Sequence, residues 1–299
     1  MGSSLPACLA RPLLMSLLQV VLLAIVQGLA ELLPVSSSAH VVVAEKLMGL
    51  DPSSPPMTLL LVMLHTGTMF AVVVYFWQRW RTTYFPSKAV FKGVAVSIIL
   101  ATVLTGVIGE AIVKIIERTA FRGVRGGQIE DLFSHLELIA PALALAGVLI
   151  LAAGVLAGRR ADTESPHVTF RQASLIGAVQ GLCLPFRGFS RSGATISTAM
   201  LAGVPKAPAE SFSFALAVVL TPAVVFREFL RLVHSHIGES GELLSATASS
   251  LLGALLAFLA GLVALKWLSQ WLDGGRWYLF GIYCLIAAVI IAMLHQRGY

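Results

Sequence analysis

The 299-residue chain is 57% hydrophobic and only 12% charged. Ordinary soluble domains run near half apolar and a quarter charged, so a soluble enzyme is excluded. The formal net charge of +6 rests on basic residues in the connecting loops, as membrane topology requires, and implies no nucleic acid.

In chain order, the N-terminus carries "LPAC" at residues 5–8, the form of a lipoprotein cleavage box, but no apolar run precedes it. The apolar run after Arg11 leads straight into a polar motif and is read as a retained helix rather than a cleaved signal. That motif is "ELLPVSSSAH", residues 31–40, followed by the short apolar leg Ala39–Gly49. Long apolar spans are expected at Met57–Phe76, Val90–Ile108 and Leu138–Ala157. Between the last two, the amphipathic segment 112–127 is read as a surface helix and loop. A second polar motif, "QGLCLPFRGFSRSGAT", starts at Gln180 and leads into the short leg Ala194–Gly203. Spans at Phe212–Phe229, Leu251–Leu272 and Tyr278–Leu294 complete the chain, with Arg227 and Glu228 read as interfacial. The alternating segments of a membrane β-barrel are absent, so the fold class is an all-α polytopic membrane protein. Cys8, Cys183 and Cys284 have no metal-ligand spacing and read as small apolar fillers.

The two polar motifs mark a repeat. "QGLAELLPVSSSAH" begins at Gln27, and both motifs run Gln-Gly-Leu, proline, a Ser/Gly-rich loop, a short apolar leg and then three long spans. The chain is one membrane domain, 1–299, with halves of about 1–160 and 161–299. The leg Ala39–Gly49 has 11 residues, about 16 Å as a helix, against about 30 Å of hydrocarbon. Each motif is therefore expected to be a re-entrant helical hairpin. Three crossings separate the hairpins, so they enter from opposite faces, which is an inverted-topology repeat with both loops near the midplane. The competing arrangement has Leu13–Leu33 crossing fully and the short legs lying in the interface. Basic-residue density in the loops 79–92 and 159–171 favours that face as cytoplasmic.

Each loop leads into a half-helix whose N-terminus attracts anions. Ser36, Ser37 and Ser38 are N-cap candidates for a helix starting near Ala39; Ser190, Ser192 and Gly193 serve the helix expected at Ala194. Arg191 adds a fork of donors suited to phosphate oxygens, and Gly188 and Gly193 permit close backbone approach. Gln27 and Glu31 lie four residues apart on one helix face and suit Mg²⁺ or Ca²⁺, hard cations that bridge to phosphate. His40 falls in the first turn of the returning leg, in reach of a serine or water. These parts serve phosphoryl transfer on a strongly anionic substrate. The bland alternatives are serines bonded to their own backbone, Glu31 as a proton relay or as a structural partner of Arg191, and His65 as a helix–helix hydrogen-bonding residue.

At these residues the chain resembles the undecaprenyl pyrophosphate phosphatases, the bacitracin-resistance integral membrane enzymes. Gln27–Glu31 is similar to their Glu/Gln-x-x-x-Glu motif, Pro34–His40 to its Pro-Val-Ser-Ser-x-x-His continuation, and Arg187–Gly193 to Pro-Gly-x-Ser-Arg-Ser-Gly. The resemblance implies hydrolysis of undecaprenyl diphosphate to the monophosphate. That reaction recycles the lipid carrier for peptidoglycan and confers bacitracin resistance. Also implied are the bacterial inner membrane, a site open to the periplasmic face, and dependence on Mg²⁺ or Ca²⁺. Carried over, Gln27 and Glu31 would hold the metal or activate the attack, and Ser37 would be the nucleophile. His40 would be the base or proton donor, with Ser36 and Arg191 as the diphosphate clamp. A homodimer is left open. Two positions depart from the family pattern: Arg187 replaces the motif proline, with Pro185 displaced, and Ala39 stands where glycine is usual.

A secondary transporter or flippase of an anionic lipid is the rival reading, since inverted repeats with half-helices mark such folds. A type-2 acid phosphatase is excluded because the first histidine after Ser190-Arg191 is His234.

Overall fold

The computed structural model describes residues 15–50, 55–120, 135–157, 168–234 and 240–298. Among them lie ten α-helices and no strand: α1 Leu17–Leu32, α2 Ser37–Leu47, α3 Pro55–Thr83, α4 Lys88–Ala120, α5 Leu136–Leu156, α6 Phe170–Cys183, α7 Arg191–Leu201, α8 Lys206–His234, α9 Ser240–Asp273 and α10 Trp277–Gln296. The lengths recur in order: 16, 11, 29, 33 and 21 residues, then 14, 11, 29, 34 and 20.

Among the described residues five helices are long and apolar enough to cross a membrane, namely α3, α4, α5, α9 and α10. They correspond to five of the six expected spans, and the protein is a multi-pass membrane protein. The sixth span lies in α8, whose side chains are only partly described; those of Arg227 and Glu228, and Cys8 as a whole, lie outside the description. The 16 residues of α1 extend about 24 Å, short of a crossing, which disfavours the fully spanning arrangement. Two expectations are corrected. Residues 112–120 continue α4 rather than forming a separate surface helix, because no proline or glycine interrupts the helix there; 121–127 lie outside the description. The half-helices also start earlier than expected, α2 at Ser37 and α7 at Arg191, so Ser37, Ser38, Ser192 and Gly193 are first-turn residues rather than caps.

Local chemistry explains the hairpins. Ser16 and Gln19 form a capping box at the start of α1, and Thr169 and Gln172 form the same box at the start of α6. Leu33 is extended (φ −75°, ψ 151°) because Pro34 follows it, and α1 therefore stops. Small residues then let backbones approach, as they do between membrane helices generally. On α1, a Cβ at Gly28 would stand 2.8 Å from the Ala257 carbonyl oxygen of α9. On α6, a Cβ at Gly181 would stand 2.9 Å from the Thr105 carbonyl oxygen of α4. The hairpin of each half thus packs on the second long helix of the other half, while α5 packs on α10 and α3 on α8. The outer face is apolar, with Phe70, Val74, Ile99, Val103, Leu145, Val263 and Ile286 all exposed.

Candidate active site

Glu31 is the hub. It sits in the last turn of α1, on the same face as Gln27, with its side chain only 12% exposed. Arg191 Nη2 lies 2.5 Å from Glu31 Oε1, so the first residue of α7 reaches across to the first hairpin. Ser37, the first residue of α2, donates its hydroxyl to Glu31 Oε2 at 2.5 Å, and Gln27 Nε2 donates to the same oxygen at 3.1 Å. A partly buried carboxylate is tolerable at this depth because a cation and two neutral donors surround it.

The loops are stitched together around this hub. Gly188 N–H donates to Ser38 Oγ at 3.3 Å, and Ser36 and Ser38 share a hydroxyl contact at 3.2 Å. Ser192 Oγ donates to the Leu33 carbonyl at 3.3 Å. Ser190 caps α7 by accepting from Gly193 N–H at 3.2 Å, which commits both groups to the framework. Gly188 and Gly193 do serve close approach, but to protein: their Cβ positions fall against the Ile139 carbonyl and the Ile150 side chain of α5. Ser36, expected as a cap, makes no side-chain cap bond, since its hydroxyl is turned to Ser38.

A small open crevice borders Glu31 and Arg191 and is walled by α3 and α8 through His65, Thr68, Met69, Ala217, Val218 and Thr221. His65 Nε2 lies 3.6 Å from Glu31 Oε2, and its Nδ1 donates to the Leu61 carbonyl at 2.8 Å. Sequence reasoning preferred a helix–helix role for His65 over a catalytic one, because periodicity places it within a span without saying which neighbour it meets. His40 is held elsewhere: Nδ1 is 2.8 Å from the Ser36 carbonyl and Nε2 is 2.7 Å from the Tyr283 hydroxyl of α10. The structure therefore brings Gln27, Glu31, Ser37 and Arg191 together, and it adds His65 to them. Ser36 and Ser38 stand beside the second loop, Ser190, Ser192 and Gly193 brace it, and His40 faces Tyr283.

Residues 20–290 match the family model described as bacitracin resistance protein BacA. This chain belongs to the BacA family. The BacA-family chain is 56% identical over 285 residues to "Undecaprenyl-diphosphatase 2" of Acinetobacter baylyi, covering 94% of this chain and 98% of that protein. It is 32% identical over 297 residues to "Undecaprenyl-diphosphatase 2" of Burkholderia orbicola, covering 95% and 99%. It is also 32% identical over 286 residues to "Undecaprenyl-diphosphatase 1" of Burkholderia pseudomallei, covering 92% and 95%.

The donor set fits a hard divalent cation in one respect. Glu31 and Gln27 offer side-chain oxygens on one helix face beside Arg191, a set that suits a hard cation completed by further oxygens. Among the described residues no group of three or more His, Cys, Asp or Glu could by itself hold a metal ion.

Proposed function

We propose that this chain hydrolyses undecaprenyl diphosphate to undecaprenyl phosphate and inorganic phosphate, recycling the lipid carrier and conferring bacitracin resistance. The observation that carries this reading is the Glu31 hub, where a carboxylate, a serine hydroxyl and a guanidinium from both hairpins meet at hydrogen-bond distance. Relatives that share almost the whole length of the chain support it.

Each side chain has work to do. Ser37 Oγ already donates to Glu31, so the carboxylate is placed to take its proton as the oxygen attacks the terminal phosphorus. The bond from that phosphorus to the bridging oxygen breaks, and the lipid monophosphate leaves. Water then attacks the phosphoserine, and Ser37 recovers its proton from Glu31. Arg191, freed from Glu31 by the arriving phosphate, supplies charge-assisted donors to the phosphoryl oxygens. Gln27 and Glu31 would hold Mg²⁺ or Ca²⁺, which supplies neutralisation of phosphate charge when bound.

We infer also that the two halves are an inverted repeat in the bacterial inner membrane, with the crevice open to the periplasmic face. Support comes from the matched helix lengths, the matched capping boxes and the equivalent contacts of Gly28 and Gly181. The crevice between α3 and α8 meets an apolar outer face, so an isoprenoid tail can stay in the bilayer while its diphosphate reaches Glu31. The test is phosphate release from undecaprenyl diphosphate by the detergent-purified protein, with and without Mg²⁺. Metal-dependent release supports the diphosphatase. A folded wild type that binds the lipid with metal present and releases nothing refutes it in favour of a lipid transporter.

A further inference from the structure

The histidine that the family resemblance casts as an acid or base makes a different set of contacts. A carbonyl oxygen only accepts, so His40 Nδ1 carries the hydrogen and donates to Ser36 O at 2.8 Å. In the neutral ring Nε2 is then the acceptor, and the Tyr283 hydroxyl donates into it at 2.7 Å. The two rings lie nearly parallel, 13° apart with centroids separated by 5.7 Å. Both nitrogens are thus engaged at once, and neither faces Ser37, whose hydroxyl goes to Glu31.

What the ring grips is unusual backbone. Ser36 has φ 67° and ψ 91°, and among the described residues it is the one non-glycine residue with positive φ. Such a conformation persists only where surrounding structure enforces it. The Ser36 side chain does not enforce it, because its hydroxyl contacts Ser38 instead of capping α2. The Ser36 carbonyl accepts from the His40 ring at 2.8 Å and, more weakly, from the His40 backbone N–H at 3.4 Å. The turn at Ser36 sets where Ser37 and Ser38 emerge, and those two residues meet Glu31 and Gly188.

We propose that Tyr283 is a positioning residue of this enzyme: through the His40 ring it holds Ser36 in its left-handed turn and so aims Ser37 at Glu31. His40 is a brace between α10 and the first loop, and no proton of the reaction passes through it. The proposal rests on the diphosphatase reading for its activity measurements, though not for its geometry.

The test pairs Tyr283→Phe and His40→Ala with Ser36→Gly, since glycine takes the left-handed region without steric cost. In the otherwise wild-type chain, Tyr283→Phe lowers kcat about tenfold at unchanged KM, as expected for one neutral hydrogen bond. His40→Ala lowers it further. In the Ser36→Gly background the same Tyr283→Phe change costs under about twofold, because the turn no longer needs the brace. An equal loss in both backgrounds overturns the proposal and returns His40 to proton transfer, and so does wild-type turnover in Tyr283→Phe. Thermal melting of each variant in detergent shows whether a loss is merely unfolding. Nitrogen-15 NMR of His40 in labelled protein reads the brace without any turnover. The expected result is a single tautomer protonated at Nδ1 in the wild type and a mixture in Tyr283→Phe; an unchanged spectrum overturns the proposal. A wild type that releases no phosphate fails the diphosphatase reading alone, and the spectrum then decides the brace.

Discussion

Gly28 lies between Gln27 and Glu31, and replacing it by alanine tests whether helix packing sets the site's geometry. The added methyl would stand 2.5 Å from Ala260 Cβ and 2.8 Å from the Ala257 carbonyl oxygen of α9. Carbon atoms rest about 3.5 Å apart or more, so α1 must move off α9 by about 1 Å. Ala260 has no longer side chain to swing away, so the helix itself has to shift. Overpacking of this kind costs about 1–3 kcal/mol, which leaves a folded but less stable protein. Glu31 is one turn further along the same helix and shifts with it, out of register with Arg191 on α7. A displacement of about 1 Å at a reacting group lowers turnover about a hundredfold. The assay is kcat for phosphate release, normalised to the folded fraction measured by thermal melting. Gly106→Ala is the control: nothing lies within 4 Å of its Cβ, so activity should hold and stability should rise slightly from better helix propensity. Wild-type kcat and melting temperature in Gly28→Ala would refute the claim that this contact sets the position of Glu31.

Ser37→Ala should reduce kcat by at least about a thousandfold if Ser37 is the nucleophile, whereas near-normal turnover would assign the attack to water. His65→Ala removes the imidazole 3.6 Å from Glu31 Oε2, and kcat/KM should drop about tenfold in steady-state phosphate release. Arg79→Ala strips the 3.0 Å partner from Glu210, a carboxylate buried between α3, α8 and α9 and also bonded to Ser269 at 2.6 Å. Thermal melting should show a loss of about 2–3 kcal/mol, less than for a fully buried pair because 37% of the Arg79 side chain is exposed. Activity per folded molecule should be unchanged, since no Glu31 contact is lost. EDTA should abolish phosphate release and added Mg²⁺ or Ca²⁺ should restore it, with Gln27→Ala raising the metal concentration needed for half-activity; EDTA-resistant turnover contradicts the assigned metal role.

The hairpins were legible because their signals are local. Gln-Gly-Leu followed by proline interrupts an apolar run twice, and a leg of 11 residues cannot span hydrocarbon. The pairing of Glu31 with Arg191 was partly legible, since a lone carboxylate and a lone arginine inside apolar segments each need a partner. The capping boxes at Ser16–Gln19 and Thr169–Gln172 were readable as S/T-x-x-Q but were missed among the longer apolar runs. The half-helix starts were misplaced by two or three residues because serine and glycine are poor helix residues that a first turn accepts, and they mask the helical Arg191 among them. Tyr283 is 243 positions from His40, and no spacing rule connects them. Arg79 and Glu210 are 131 apart and meet only when α3 packs on α8. Contacts of this kind follow from tertiary packing, not from periodicity.

The central claim is that the two hairpins make one catalytic unit. The direct measurement is a double-mutant cycle on undecaprenyl diphosphate hydrolysis with Glu31→Gln, Arg191→Lys and the pair together. Each single change should cost about a hundredfold or more in kcat/KM, and the double variant should be little worse than the weaker single, because residues acting as a unit are strongly non-additive. Losses that simply multiply in a folded double variant, or either single retaining wild-type turnover, would contradict a shared site.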